Sequence, residues 1–173
     1  MKVIDQALLE KVIIERSCTT HKGDYGRLLL LGGTYPYGGA IIMAALVAVK
    51  SGAGLVTVGT DRENIPALHN HLSEAMAFSL QDQQLLKEQL EKAEVVLLGP
   101  GLRDDVFGEN LVKQVFVNLS QNQILIVDGG ALTILARTSL SFPSNQLILT
   151  PHQKEWEKLS GIAIEKQNED ATA

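Results

Sequence analysis

The sequence predicts an α/β fold, a doubly wound and mostly parallel sheet flanked by helices. Two observations carry that expectation. Short, almost uncharged apolar runs recur at 28–31, 55–59, 94–98, 124–127 and 146–149, and each is followed by a polar or glycine-rich turn. Stretches with helical spacing separate them, and the connections are short. Runs that are apolar on both faces suit strands buried within a parallel sheet.

The elements follow in order. Val3, Ala7, Leu8 and Val12 stand at helical spacing, with Asp5 near the start, and predict a helix over 3–15. Leu28 to Leu31 is a buried strand ending in Gly32-Gly33. Residues 40–50 are apolar on nearly every face and rich in alanine, which predicts a helix packed closely on the sheet and stopped by Gly52 and Gly54. The strand at 55–59 leads to a polar turn, Asp61-Arg62-Glu63-Asn64. The region 60–93 is less patterned: 74–80 reads as a strand and 83–92 as a helix. After the strand at 94–98 come Gly99-Pro100-Gly101 and a helix over 108–119. The strand at 124–127 runs into Asp128-Gly129-Gly130 and a short helix at 131–136.

The last strand, 146–149, meets Thr150-Pro151-His152-Gln153. That tetrapeptide reads as a helix start, with Thr150 as N-cap, Pro151 at the first helical position and Gln153 at the capping-box position. Gly161 stops the helix. Asn168, Glu169 and Asp170 then read as a fresh helix start, only a few residues before Ala173. The expectation is one domain over 1–173 that forms the front part of a longer one, continuing past Ala173. The rival reading is a frayed polar tail.

Composition narrows the function classes. The chain has 173 residues, 45% of them hydrophobic and 20% charged, as in an ordinary globular protein. A net charge of −5 and scattered Lys and Arg give no nucleic-acid surface. Glycines and Pro36 interrupt the longest uncharged stretch, so no membrane span is expected. With no secretory signal and one cysteine, Cys18, the expected location is the cytoplasm. His69 and His71 would share one face of a strand, but no third ligand lies near them, so they are not read as a zinc site.

The chemistry is expected at the strand ends. In open parallel sheets ligands bind beyond the carboxyl ends of the strands, where loops lead into helices. Four strands end in unusual loops on that edge: residues 32–39, Gly99-Pro100-Gly101, Asp128-Gly129-Gly130 and Thr150-Pro151-His152. Glycine lets a ligand approach backbone, and helix starts favour anionic groups. The first loop fits neither the G-x-G-x-x-G nor the P-loop spacing. One such loop alone is ordinary packing; four on one edge point to a small-molecule site.

The motifs HKGDYGRLLLLGG (21–33), YGGA (37–40), SGAGLVTV (51–58), GPGL (99–102) and LTPHQKEWEKLSG (149–161) occur in this order. Together they resemble the ADP/ATP-dependent NAD(P)H-hydrate dehydratases, carbohydrate-kinase-like repair enzymes with a ribokinase-type fold. The resemblance covers residues 1–165. It implies dehydration of the S form of hydrated NADH or NADPH at the expense of ADP or ATP, with Mg²⁺, by an enzyme that assembles as a homo-oligomer, often a tetramer. It assigns substrate contacts to Ala40, Gly101 and His152 and brings Gly38, Gly39, Gly99 and Asp128 forward as site-lining candidates. Asp128 stands at the first acid of a family DADAL segment that here reads DGGAL, so Gly130 replaces the second acid. The resemblance places the family's Lys-Gly nucleotide segment and its catalytic Asp beyond Ala173, so no catalytic residue is assigned within residues 1–173. Two other readings stay open: a ribokinase-like kinase of a small molecule such as a vitamin precursor, and a truncated, non-catalytic binding remnant.

Overall fold

The computed structural model describes residues 5–13, 15–138, 140–143 and 146–167. Six strands form one sheet: β1 (Arg27–Leu31), β2 (Leu55–Thr60), β3 (Met76–Ser79), β4 (Val95–Leu98), β5 (Ile124–Val127) and β6 (Gln146–Leu149). Every pairing is parallel, and the order is β3-β2-β1-β4-β5-β6. Seven α-helices lie among the described residues: α1 (Gln6–Val12), α2 (Gly38–Lys50), α3 (Asn64–His71), α4 (Gln83–Lys92), α5 (Val106–Asn118), α6 (Gly130–Arg137) and α7 (Gln153–Ser160). The expected doubly wound architecture is present.

Alternation along the strands divides the core in two. Leu30, Val56 and Val58 face α2 and α3, where they meet Ile41, Ala45 and Leu68. Leu29, Leu31, Val96, Leu98, Leu125 and Val127 face the other way, onto a cluster that includes Leu86, Leu111, Val112 and Leu132 of α4, α5 and α6. Each fully buried Leu or Val contributes about 1.5–3 kcal/mol of gross transfer free energy, so these two layers carry the fold. Connections running from β1 toward β3 lie on one face and those from β4 toward β6 on the other, as right-handed crossovers require.

One part of the sheet is left open. On the α2 side, beyond the α2 helix, the faces of β4, β5 and β6 carry none of the described helices. Leu97 and Ile126 are only half-buried there, and Ile148 is 49% exposed. Leu28, Leu97 and Ile126, with Met43 and Val47 of α2, line an apolar trough of about 400 Å³.

The structure corrects three expectations. The weakly patterned region after Asp61 holds a helix, α3, where the sequence predicts a polar turn at 61–64 and gives no clear element after it. Pro66 obscures it, yet Pro66 is the third helical residue, where the missing N–H has no intrahelical partner to lose. His69 and His71 therefore end a helix instead of sharing one face of a strand, and the His69 ring bonds the Ala75 carbonyl at 3.2 Å. The third concerns α7, whose N-cap is His152 and not Thr150, with Glu155 and not Gln153 closing the capping box. The Thr150 hydroxyl instead donates to Asp128 Oδ1 at 2.7 Å. Gly161 ends α7 as expected, at φ +74°. The helix start expected at Asn168, with the sequence from there to Ala173, lies outside the described residues.

Candidate functional site

The strand order reverses between β1 and β4, so the loops after these two strands leave the sheet in opposite lateral directions and flank a crevice. They are the glycine loop, residues 32–37, and Gly99-Pro100-Gly101. The backbone laces them together. The Gly33 N–H donates to the Pro100 carbonyl at 2.8 Å, and the Thr34 N–H to the Gly101 carbonyl at 2.9 Å. Thr34 is 4% exposed; its hydroxyl donates to the same Gly101 carbonyl and accepts the Arg103 N–H at 2.7 Å. Such contact needs bare backbone. A Cβ on Gly32 would overlap the Pro100 carbonyl, and one on Gly101, at φ +65°, would overlap the Tyr37 carbonyl.

The lacing continues outward from β4. A Cβ on Gly99 would overlap the Asp128 carbonyl, so the loops after β4 and β5 touch. The Asp128 side chain then reaches the loop after β6 through Thr150. All four loops singled out in the sequence thus lie at the carboxyl ends of parallel strands and touch in succession.

Their candidate residues differ in what they offer. Gly38 is buried at the first position of α2, Gly39 is exposed, and Ala40 is half-buried behind it. Tyr35 and Tyr37 are 67% and 57% exposed on the same loop. Gly99 is buried, while Gly101 and Asp128 are half-buried. Apart from these stands His152, exposed, with its ring engaged by its own helix. Nδ1 accepts the Lys154 and Glu155 N–H groups at 3.2 and 3.3 Å, while the Glu155 carboxylate accepts the His152 N–H at 3.0 Å. An imidazole whose Nδ1 accepts donates only from Nε2, and that atom lies 3.5 Å from Glu155 Oε1.

Gly130 has a packing reason. Any Cβ there would overlap the Leu102 carbonyl. An acid at this position requires the segment after Gly101 to move. Among the described residues no three His, Cys, Asp or Glu side chains converge as a metal-ligand set. The catalytic Asp, which the resemblance places beyond Ala173, falls outside the described residues, and none of these side chains is given its role. No described helix is long and apolar enough to cross a membrane.

Sequence reasoning misses the residues that hold the glycine loop from its other side. The buried Thr60 hydroxyl donates to the Gly33 carbonyl at 2.9 Å, the Asn64 amide donates to that same carbonyl, and the Asp61 carboxylate accepts the Tyr35 N–H at 2.6 Å. Asp61 and Asn64 read as turn residues, and no local signal ties them to a loop about 30 positions upstream.

Comparison with known proteins accords with this geometry. A family model described as NAD(P)H-hydrate dehydratase matches residues 28–173. The ADP-dependent (S)-NAD(P)H-hydrate dehydratase of Streptococcus pneumoniae is 87% identical over the whole chain, which spans 60% of that relative. A ribokinase-like superfamily protein of Enterococcus faecalis superposes with a TM-score of 0.88 at 40% identity, over 95% of this chain and 58% of the other. The ADP/ATP-dependent NAD(P)H-hydrate dehydratase of Bacillus subtilis, crystallised with ATP and Mg²⁺, gives 0.80 at 28% identity, over 96% and 58%. The chain spans about three fifths of the length of these proteins. It belongs to the NAD(P)H-hydrate dehydratase family, and its sheet is the ribokinase-like one.

Proposed function

We propose that this chain is the N-terminal part of a single ribokinase-like domain that dehydrates the S form of NADH or NADPH hydrate, with ADP as the phosphoryl donor. The observation that carries the reading is the laced pair of loops at the strand-order reversal, in a chain 87% identical to an enzyme of that name. In this reading the hydrated dinucleotide lies against Ala40 and Gly101, both only half-buried at this edge. Gly38, Gly39, Gly99 and Asp128 line the same edge. His152 Nε2 donates to the substrate while Glu155 holds the ring in place.

The chemistry is phosphoryl transfer followed by elimination. The β-phosphoryl group of ADP moves to the hydrate hydroxyl, whose proton goes to a base as AMP leaves. Loss of phosphate together with a proton from the neighbouring ring carbon then restores the double bond of the dihydronicotinamide ring. By the family resemblance, the nucleotide, its Mg²⁺ and the base would be held by the two fifths of the relatives' length that this chain does not span. What residues 1–173 supply is binding and orientation of the substrate. The protein then acts in the cytoplasm as a homo-oligomer, with neither nucleic acid nor membrane as partner.

The test is product analysis with the full-length protein, hydrated NADPH and ADP. Restored NADPH with equimolar AMP and phosphate is the expected result. A stable phosphorylated small molecule would select the kinase reading, and binding without turnover the remnant.

A further inference from the structure

We propose that Asp61 and Asn64, at the junction of β2 and α3, are positioning residues for the substrate loop. They set where Tyr35, Tyr37 and the start of α2 stand relative to Gly101. The inference rests on the proposed dehydratase reading for its kinetic consequence, but not for its geometry.

The usual task of polar residues at a helix start is to cap that helix. Here they do not. The N-cap of α3 is Glu63, and its side chain makes no cap hydrogen bond. Asp61 and Asn64 reach back across the sheet edge instead. The Asp61 carboxylate accepts the Tyr35 N–H, and the Asn64 amide donates both to the Gly33 carbonyl and to the Thr60 hydroxyl, the latter at 3.1 Å. The Gly33 carbonyl thereby collects the Asn64 amide, the Thr60 hydroxyl and, at 3.4 Å, the Asp61 N–H.

Asn64 also touches the far end of the loop. A Cβ on Gly38 would overlap the Asn64 carboxamide, so that side chain lies directly against the first residue of α2. One amide therefore fixes both ends of the segment from Gly33 to Gly38, while Asp61 fixes its middle. Residues 99–103 lace the opposite flank through Thr34. With both flanks tied, the exposed side chains on the loop are Tyr35, Pro36 and Tyr37, and Gly39 and Ala40 follow directly on α2. A loop held on two sides loses little further freedom when substrate binds, so the loss of one strap falls on affinity.

The experiment uses the full-length protein with D61A, D61N and N64D. Asn at 61 keeps an oxygen to accept the Tyr35 N–H, whereas Ala does not; Asp at 64 keeps the shape and loses the donor. We expect D61A and N64D to raise KM for hydrated NADPH about tenfold, with kcat within about twofold of the parent. D61N should restore the parent KM. Amide exchange at Tyr35 and Tyr37 should quicken in D61A and N64D and stay slow in D61N, with the β1 amides unchanged in all three. An unchanged KM in D61A, or D61N as impaired as D61A, would overturn the proposal. So would unaltered exchange in the loop. If the parent protein turns over no hydrate, the dehydratase reading falls, and the exchange data alone decide the strap.

Discussion

Glycine at a crowded position is a statement about its neighbours. At Gly130 the neighbour is the Leu102 carbonyl, which occupies the place a Cβ would take. The sequence marks this position as a departure from the family segment, but the reason lies 28 residues away and cannot be read locally. Gly130→Asp is therefore expected to destabilise the protein by about 1–3 kcal/mol through forced displacement of the segment after Gly101. Denaturant unfolding measures it, and a variant as stable as the parent would show that the loop yields freely. The same limit applies to Thr34, Asp61 and Asn64. Their types suit loops, but their partners lie on loops that follow other strands. His152 shows the reverse: the tetrapeptide announces a helix start correctly, and only the identity of the cap differs, because a ring nitrogen accepts N–H groups as well as a hydroxyl does.

At the scale of elements, the strands and long helices are legible because each buries an apolar face with its own period. The helix over Gln83–Lys92 is expected at its observed bounds, since Leu86 and Leu90 form a stripe between Asp82 and Ala93. The helix α3 is not, because half its residues are polar and Pro66 masks its start. Ionic ties between elements are also invisible in sequence. Arg137 of α6 reaches Asp104 at 2.5 Å and Glu109 of α5 at 2.9 Å.

These ties set an acid limit. The Gly108 N–H, which Asp105 accepts as the α5 cap, holds that carboxyl below its usual range; burial opposes this and Arg103 adds to it. Lys113 and then Arg137 hold Glu109 below its usual range as well. Folded values below the unfolded ones mean stability that is present above the ordinary carboxylate range, about pH 4, and is lost as pH falls through the folded values. Asp105→Asn keeps a capping oxygen but cannot lose a charge. Its unfolding midpoint should fall less on acidification below about pH 4 than that of the parent, and equal slopes would show that Asp105 contributes nothing to the acid limit.

At the scale of the whole molecule, the described residues leave one half-face of the sheet bare. Parallel sheets are normally covered on both faces, and the relatives are longer than this chain by about two fifths of their length. Residues 1–173 alone should therefore self-associate through the trough beside Met43 and Val47, which are 62% and 63% exposed. Light scattering tests this, with Met43→Glu expected to shift the population toward monomer. A chain that stays monomeric and melts cooperatively would contradict it.

The central claim is that the hydrated dinucleotide lies at the strand-order reversal between β1 and β4. The most direct measurement is a crystal structure of the full-length protein with hydrated NADPH. The ligand should lie against Ala40 and Gly101, with His152 Nε2 in hydrogen-bond reach. A ligand bound elsewhere, with the laced loops free of it, would contradict the claim.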